Sequence, residues 1–151
     1  MKPLISIVHI DDNPGDLTLA HEAFSSHGEV AYEGIEQPIS GLAHVASETI
    51  AGRPPSLILL DLNLPGFHGT EVLRLLHANA HLEKIPVVIF TSSTMEQERD
   101  DCLRLGATAV MTKPATFEEL CELTTTIMGM IPQAIARDLV GSSCVSMAAG
   151  A

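Results

Sequence analysis

Four apolar segments of this sequence are each followed by polar residues suited to phosphate chemistry. Asp11 and Asp12 follow the first segment, Asp61 follows the second, Thr91 the third and Lys113 the fourth. Ligands of open parallel sheets bind beyond the carboxyl ends of the strands. If the segments are parallel strands, carboxylates, a hydroxyl and an ammonium group therefore meet at one edge. This set suggests a divalent cation beside a carboxylate that accepts a phosphoryl group.

The segments that must position these residues alternate between two periodicities. Short β-branched runs predict buried strands, and longer runs with apolar residues at helical spacing predict helices. Regular alternation of this kind predicts an α/β fold: a doubly wound parallel sheet with helices on both faces and right-handed crossovers. The predicted strands are 5–10, 29–36, 57–60, 86–90 and 107–112, and the predicted helices are 16–27, 40–51, 69–80, 96–105 and 116–130.

Local capping signals mark several helix starts. Asn13 is suited to cap the first helix, and Thr116 the last, with Glu119 at the capping-box position. Ser93 or Thr94 is predicted to cap the helix that begins at residue 96. That assignment leaves the hydroxyl of Thr91 free for another role.

Composition limits the classes of function. The 151 residues suit one domain, predicted over 3–131, with a tail over 132–151 that is partly flexible or forms a short dimer arm. A net charge of −11 argues against nucleic-acid binding and favours solubility or a basic partner. No apolar run is long enough to span a membrane, no signal-peptide pattern opens the chain, and three widely spaced cysteines indicate reduced thiols. We therefore expect a cytoplasmic protein.

Each site residue also has an ordinary explanation when taken alone. Asp11 and Asp12 could simply form a turn with Asn13, Asp61 could cap a helix, and Lys113 could be an exposed surface lysine. The joint placement at the ends of successive apolar segments favours one site. Three adjacent acidic groups raise the pKa of at least one of them unless a cation neutralises them.

The site residues and their surroundings resemble the receiver domain of two-component response regulators. The resemblance extends over about Pro3 to Met130 and includes the spacing between the phosphoacceptor motif and the later site residues. It implies a flavodoxin-like sheet of five parallel strands in the order 2-1-3-4-5 with five helices. The matching motifs are Asp11-Asp12, the segment 59–69 around Asp61, Thr91, Leu105-Gly106-Ala107 and Lys113-Pro114.

The resemblance also assigns roles to these residues. Asp61 would be the phosphoacceptor, and Thr91 and Lys113 would sense the phosphoryl group, with Pro114 as a cis-proline that directs the lysine inward. The resemblance also implies a Mg²⁺ site, which Mn²⁺ or Ca²⁺ could also fill. Its ligands would be Asp12, Asp61 and the backbone carbonyl of Asn63, with Asp11 acting through water.

Three features depart from the family or lie outside its motifs. Val110 occupies the position of the family's usual aromatic switch residue, so phosphorylation must be transmitted in another way. His68 replaces a small polar residue and is interpreted as a helix cap. His77 and His81 are four residues apart, the spacing of one helical face, but no third metal ligand accompanies them, so a solvated face is favoured.

The function predicted from these observations is a single-domain response regulator with output through protein contacts, not an enzyme. Its partner would be a sensor histidine kinase. The segment 8–16 is similar to stand-alone, phytochrome-associated receivers, so a bacteriophytochrome is a candidate donor of the phosphoryl group. Two alternatives stay open: a phosphorylation-independent interaction module, and a Mg²⁺-dependent phosphatase, disfavoured because Asn63 stands where the second acid is needed. The family also implies a homodimer through a face lined by Cys102, Leu103, Val110 and Cys121.

Overall fold

The computed structural model describes residues 5–28 and 30–131. The strands are β1 (Ile5–Ile10), β2 (Val30–Ile35), β3 (Leu57–Leu60), β4 (Asn63–Leu64), β5 (Phe67–His68), β6 (Val87–Thr91) and β7 (Ala109–Thr112). The helices are α1 (Pro14–Ser25), α2 (Pro38–Ile50), α3 (Gly69–His77), α4 (Glu96–Arg104) and α5 (Phe117–Met130). The predicted tail, 132–151, lies outside the described residues.

Five parallel strands form one sheet in the order β2-β1-β3-β6-β7. Counting only these long strands, this is the order 2-1-3-4-5, so the predicted doubly wound, flavodoxin-like fold with five helices is confirmed. A short antiparallel hairpin, β4–β5, was not predicted. It turns at Gly66, whose φ of +73° favours glycine.

The sheet separates two apolar cores. Along β3, Ile58 and Leu60 pack into the core shared with α2, α3 and α4, while Leu57 and Leu59 pack into the core shared with α1 and α5. Successive side chains of a strand point to opposite faces, so a strand covered on both faces must be apolar at every position. This double coverage explains why residues 57–60 form a continuous apolar run.

The predicted caps of α1 and α5 are present in the structure, whereas the predicted cap of α4 is not. Asn13 accepts the backbone N–H groups of Gly15 and Asp16, and Thr116 accepts that of Glu119, as predicted. The prediction for α4 was wrong, because its N-cap is Met95, which makes no side-chain cap. The Ser93 hydroxyl instead contacts Glu98 inside the first turn of α4.

His77 and His81, whose spacing predicted one helical face, do not share a helix. α3 ends at His77, and Asn79 accepts the backbone N–H of His81 in the turn that follows. His77 packs against Gly106, where an added Cβ would lie 2.5 Å from its Nε2 atom. The prediction that the two histidines lie on one helix was therefore wrong.

Candidate functional site

The carboxyl edge of the sheet brings the predicted site residues together. Asp11 follows β1 and Asp61 follows β3, and the backbone N–H of Asp61 donates to the Ile10 carbonyl at 3.0 Å, which extends the ladder and sets the two acids side by side. Thr91 ends β6, and its carbonyl accepts the backbone N–H of Lys113 at 2.8 Å. Strand pairing alone therefore aligns these four positions.

Three carboxylates form the centre of the site. One oxygen from each of Asp11, Asp12 and Asp61 lies within 4.8 Å of the others. Asp11 is fully buried and Asp61 is 5% exposed, whereas Asp12 is exposed. The cluster thus has two acids beneath the surface and one open to solvent.

Lys113 is the counter-ion of this cluster. Its Nζ atom lies 2.7 Å from Asp11 Oδ2, 2.7 Å from Asp16 Oδ2 and 3.4 Å from Asp61 Oδ2. Asp16, in the first turn of α1, was not predicted as a site residue. No local signal marks it, because its contact with Lys113 spans 97 residues of sequence.

Burial and neighbouring charges shift the pKa values of Asp11 and Asp61 in opposite directions. Burial raises the pKa of Asp11, but His9, Lys113 and the backbone N–H of Asn13 together outweigh it and hold the pKa below its usual value. Burial also raises the pKa of Asp61. The positive charge of Lys113 opposes this effect and the negative charge of Asp11 reinforces it, and the pKa of Asp61 ends above its usual value. Of the two buried acids, Asp61 is therefore the one whose negative charge the surrounding protein groups compensate less.

Lys113 is held as a cation. Burial alone would lower the pKa of Lys113, but its close contacts with the carboxylates of Asp11 and Asp16 and the other nearby negative charges outweigh this effect, and the pKa is raised above its usual value. The ammonium group is therefore charged at neutral pH and shared among acids before any phosphoryl group arrives.

Comparison with known proteins identifies the family of this site. Residues 7–125 match the family model of the response regulator receiver domain.

The chain belongs to the response regulator receiver domain family.

Solved receiver structures share the fold over nearly their whole length. A phosphorylated cyanobacterial phytochrome response regulator, RcpA, is 28% identical with a TM-score of 0.77, covering 86% of this chain and 95% of that one. The Mn²⁺-bound form of response regulator Rcp1 is 26% identical with a TM-score of 0.74, covering 85% and 96%. Protein PilH of Pseudomonas aeruginosa is 29% identical, covering 76% of this chain and 89% of that protein. The first curated relatives are longer, and the chain spans 24% of one and 13% of the next.

The acidic cluster of this receiver domain suits a hard divalent cation. All three grouped side chains offer carboxylate oxygens, the ligand type that such cations prefer. The raised pKa of Asp61 indicates a carboxylate whose negative charge a cation would neutralise. Asn63, whose carbonyl was predicted as a further ligand, begins β4 two residues after Asp61.

The predicted cis-proline was wrong. Within the described residues every peptide bond is trans, including the one between Lys113 and Pro114. Lys113 points into the site without a cis bond, because its backbone is paired with β6 and its ammonium group is bound by carboxylates. Trans is also the common state of X–Pro bonds, of which only about 5–6% are cis in folded proteins.

Thr91 and Val110 are both buried at the edge of β6 and β7. Thr91 is 1% exposed, and its Oγ1 atom accepts the backbone N–H of Ser93 at 3.2 Å, which leaves the hydroxyl proton free to donate. Val110 is 9% exposed and packs in the core on the side of α4. Arg99 of α4 donates to the Val110 carbonyl at 2.8 Å, so α4 is bound to β7 at this position.

His68 caps α3, as predicted, and joins it to α4. Its Nδ1 atom accepts the backbone N–H of Thr70, and its Nε2 atom lies 3.2 Å from Glu98 Oε2. Glu98 also contacts the Ser93 hydroxyl, and these contacts with Ser93 and His68 help to lower its pKa against the opposing effect of burial. Glu98 was missed from the sequence because its partners lie on other elements.

Gly69 is required by the backbone beside the site. An added Cβ would lie 2.5 Å from the Asp61 carbonyl oxygen and 2.7 Å from Leu62 Cα, and backbone atoms cannot give way as a flexible side chain can. We expect Gly69→Ala to lower the free energy of unfolding by about 2 kcal/mol, as overpacking does. Gly129→Ala is the matched control, because a Cβ there meets nothing within 4 Å. It should raise stability by about 0.5 kcal/mol through helix propensity.

Urea unfolding followed by circular dichroism measures both variants. An unchanged midpoint for Gly69→Ala would show that the loop after β3 yields freely, contrary to this expectation.

Among the described helices, none combines the length and apolar character needed to cross a membrane.

Proposed function

We propose that this receiver domain accepts a phosphoryl group on Asp61 from the phosphohistidine of a sensor kinase, with Mg²⁺ bound beside it. The observation that carries the proposal is the placement of Asp61, a nearly buried carboxylate at the end of a central strand. It is flanked by two further acids within 4.8 Å and by Lys113 at 3.4 Å. A nucleophile, a cation site and a positively charged side chain are the parts that phosphoryl transfer to a carboxylate needs.

The transfer exchanges one bond to phosphorus for another. An oxygen of Asp61 forms a P–O bond as the P–N bond of phosphohistidine breaks, and the bonding electron pair returns to the imidazole nitrogen, which takes a proton from water. The product is an acyl phosphate on Asp61. The Leu62 backbone N–H, 2.8 Å from Asp61 Oδ1, holds the carboxylate in place.

Asp12, Asp61 and the Asn63 carbonyl would hold the cation, with Asp11 acting through water. Bound there, Mg²⁺ would neutralise charge on the phosphoryl oxygens during transfer. The Mn²⁺-bound relative supports a divalent site of this type. Mn²⁺ or Ca²⁺ could occupy the site in place of Mg²⁺.

Lys113 and Thr91 would then respond to the added charge. A phosphoryl group brings about −1.5 to −2 charge, which attracts the ammonium group from its shared position among three carboxylates. The free hydroxyl proton of Thr91 would be donated to a phosphoryl oxygen. Both movements begin at the carboxyl ends of β6 and β7.

The output route would run through Glu98, because Val110 cannot act as an aromatic switch. Ser93 connects the two ends of this route: its backbone N–H donates to Thr91 and its hydroxyl contacts Glu98. A displacement of Thr91 therefore pulls on the first turn of α4, which Glu98 also joins to His68. We expect α4 to be the element whose surface changes.

Glu98→Gln tests this route. The amide keeps the shape of the side chain but weakens its contacts with Ser93 and His68, so the free energy of unfolding should fall by about 1 kcal/mol. The amide NMR shifts that beryllofluoride induces in α4 should shrink to less than half, while Asp61 labelling changes less than threefold. Glu96→Gln is the matched control, since it removes the other acid of the same helical turn. Equal responses in both variants would contradict a role for Glu98.

The relatives support the proposed partners. The resemblance to receivers of the phytochrome pathway favours a photoreceptor histidine kinase as donor and output by protein contact. Free Cys102 and Cys121 fit the expected cytoplasmic setting.

A homodimer would use the face of α4, β7 and α5, but the predicted lining needs correction. Cys102 is fully buried and Val110 is 9% exposed, so neither is a surface residue, while Leu103 and Phe117 are 45% and 43% exposed. Sedimentation velocity with and without beryllofluoride measures this association.

Acyl-phosphate formation decides the proposed function. The protein should be labelled by acetyl phosphate in Mg²⁺ to about one phosphoryl group per chain, hydroxylamine should remove the label, and EDTA should prevent it. Absence of label, or label without a metal, would overturn the proposal. Labelling that alters neither α4 nor partner binding would instead favour the phosphorylation-independent module.

A further inference from the structure

A buried histidine lies directly behind the acidic site. His9 of β1 is fully buried, two residues before the fully buried Asp11. Residues two apart on a strand face the same side, so both side chains lie on the side of α1 and α5. His9 Nε2 is 3.7 Å from Asp11 Oδ2 and has no hydrogen-bond partner among the described residues.

Tyr32 holds the other ring nitrogen of His9. Its hydroxyl oxygen lies 2.6 Å from His9 Nδ1 and 3.1 Å from the Leu17 carbonyl oxygen. The tyrosine ring is itself fixed, because it stacks on His21 with centroids 5.0 Å apart. Gly34, the strand partner of His9, leaves the space that Tyr32 uses, since a Cβ there would lie 3.3 Å from the tyrosine ring.

This arrangement favours one tautomer of neutral His9. A proton on Nδ1 would leave the lone pair of Nε2 facing a carboxylate oxygen, which sets two acceptors against each other. Tyr32 has a single hydroxyl proton, which we assign to Nδ1 at 2.6 Å rather than to the Leu17 carbonyl oxygen at 3.1 Å; this assignment puts the imidazole N–H on Nε2, where it points at Asp11. His9 is then a donor held just beyond hydrogen-bond distance of Asp11 Oδ2.

The same oxygen of Asp11 is the one that Lys113 contacts at 2.7 Å. Under the proposed function, Lys113 turns toward the phosphoryl group on Asp61. Under the same proposal the divalent cation acts on Asp11 only through water, so the buried Oδ2 atom would lose its direct contact with a cationic group at that moment, and a buried carboxylate oxygen without a direct donor is costly. His9 is the side-chain donor in place to approach it.

We propose that His9 is a positioning residue that replaces Lys113 as the donor to Asp11 when Asp61 is phosphorylated, with Tyr32 setting its tautomer. This inference rests on the proposed function. It gives the imidazole its main role in the phosphorylated state, because in the unphosphorylated site Lys113 is the group nearer to Asp11 Oδ2, at 2.7 Å against 3.7 Å for His9 Nε2.

Three variants test this role. His9→Leu removes the donor and keeps an apolar shape suited to the core. His9→Gln retains an N–H donor, and Tyr32→Phe removes only the hydroxyl. The measurements are the affinity for beryllofluoride at saturating Mg²⁺, the half-life of the acyl phosphate, the affinity for Mn²⁺ alone by electron paramagnetic resonance, and the urea midpoint.

We expect His9→Leu to weaken beryllofluoride binding and shorten the acyl-phosphate half-life by about 10-fold, the scale of lost outer-shell partners. Its Mn²⁺ affinity should stay within threefold of the unsubstituted protein, His9→Gln should recover most of the loss, and adding Tyr32→Phe to His9→Leu should have no further effect. A purely structural role would lower all affinities together with the urea midpoint.

Two results would overturn the inference: a His9→Leu protein that binds beryllofluoride as tightly as the unsubstituted protein, or effects of His9→Leu and Tyr32→Phe that simply add. These differ from failure of the proposed function, in which the unsubstituted protein itself takes no label from acetyl phosphate.

Discussion

Asp61→Asn is expected to abolish phosphoryl labelling and, in the same protein, to increase stability without metal. A carboxamide oxygen cannot form a stable acyl phosphate, so labelling should fall to background. The stability effect follows from the raised pKa of Asp61, since burial and the neighbouring Asp11 both disfavour its charge. Lys113 keeps two closer carboxylates, at 2.7 Å each, when the third is removed. We expect a gain of about 1 kcal/mol, the scale of a relieved buried polar group.

Both effects are measured on one preparation. Labelling with acetyl phosphate and Mg²⁺ gives the first, and urea unfolding in EDTA gives the second. Asp100→Asn is the control, because it removes an exposed acid of α4 and leaves the cluster intact. Labelling of Asp61→Asn at the normal level would place the phosphoryl group elsewhere, and a loss of stability would mean that the site tolerates its third carboxylate well.

Lys113→Ala should be the most destabilising single change at the site. It leaves Asp11, which is fully buried, without its cation and removes the contacts with Asp16 and Asp61. Removing one partner of a buried ion pair costs about 3–5 kcal/mol. Because Lys113 is 13% exposed and water reaches the site, we expect the lower end, about 3 kcal/mol.

The response to divalent cations provides a second test of the role of Lys113. A cation bound by the same carboxylates takes over the charge of the ammonium group, so Mg²⁺ should stabilise Lys113→Ala more than it stabilises the unsubstituted protein. Lys84→Ala is the control, since Lys84 is exposed and forms no ion pair within the described part of the chain. Equal losses in the two variants, measured by urea unfolding, would refute the role of Lys113 as counter-ion.

The architecture was readable from the sequence because its signals are local. The apolar run 57–60 must be a strand covered on both faces, and Asn13 and Thr116 cap helices through hydrogen bonds to residues two or three positions away. Parallel topology follows from alternation, and parallel strands share an edge. The convergence of Asp11, Asp61, Thr91 and Lys113 follows from these facts alone.

Errors arose where a local pattern had no tertiary partner to support it. The spacing of His77 and His81 suits a helix, but α3 ends at His77, which packs against Gly106. Ser93 suits an N-cap, but its hydroxyl contacts Glu98 instead. The cis-proline was inferred from family resemblance and was wrong, since strand pairing already directs Lys113 inward.

The sequence by itself determined which side chains meet at the carboxyl edge, because local periodicity marks the strand ends and the alternation of strands and helices implies a parallel sheet, while the strand order came from the family resemblance. Only the tertiary structure decided which partners those side chains take. Lys113 pairs with Asp16 across 97 residues, and His9 is placed between Asp11 and Tyr32 by the packing of β1 against β2 and α1. Such contacts depend on distances of a few ångströms between elements remote in sequence, which no local pattern specifies.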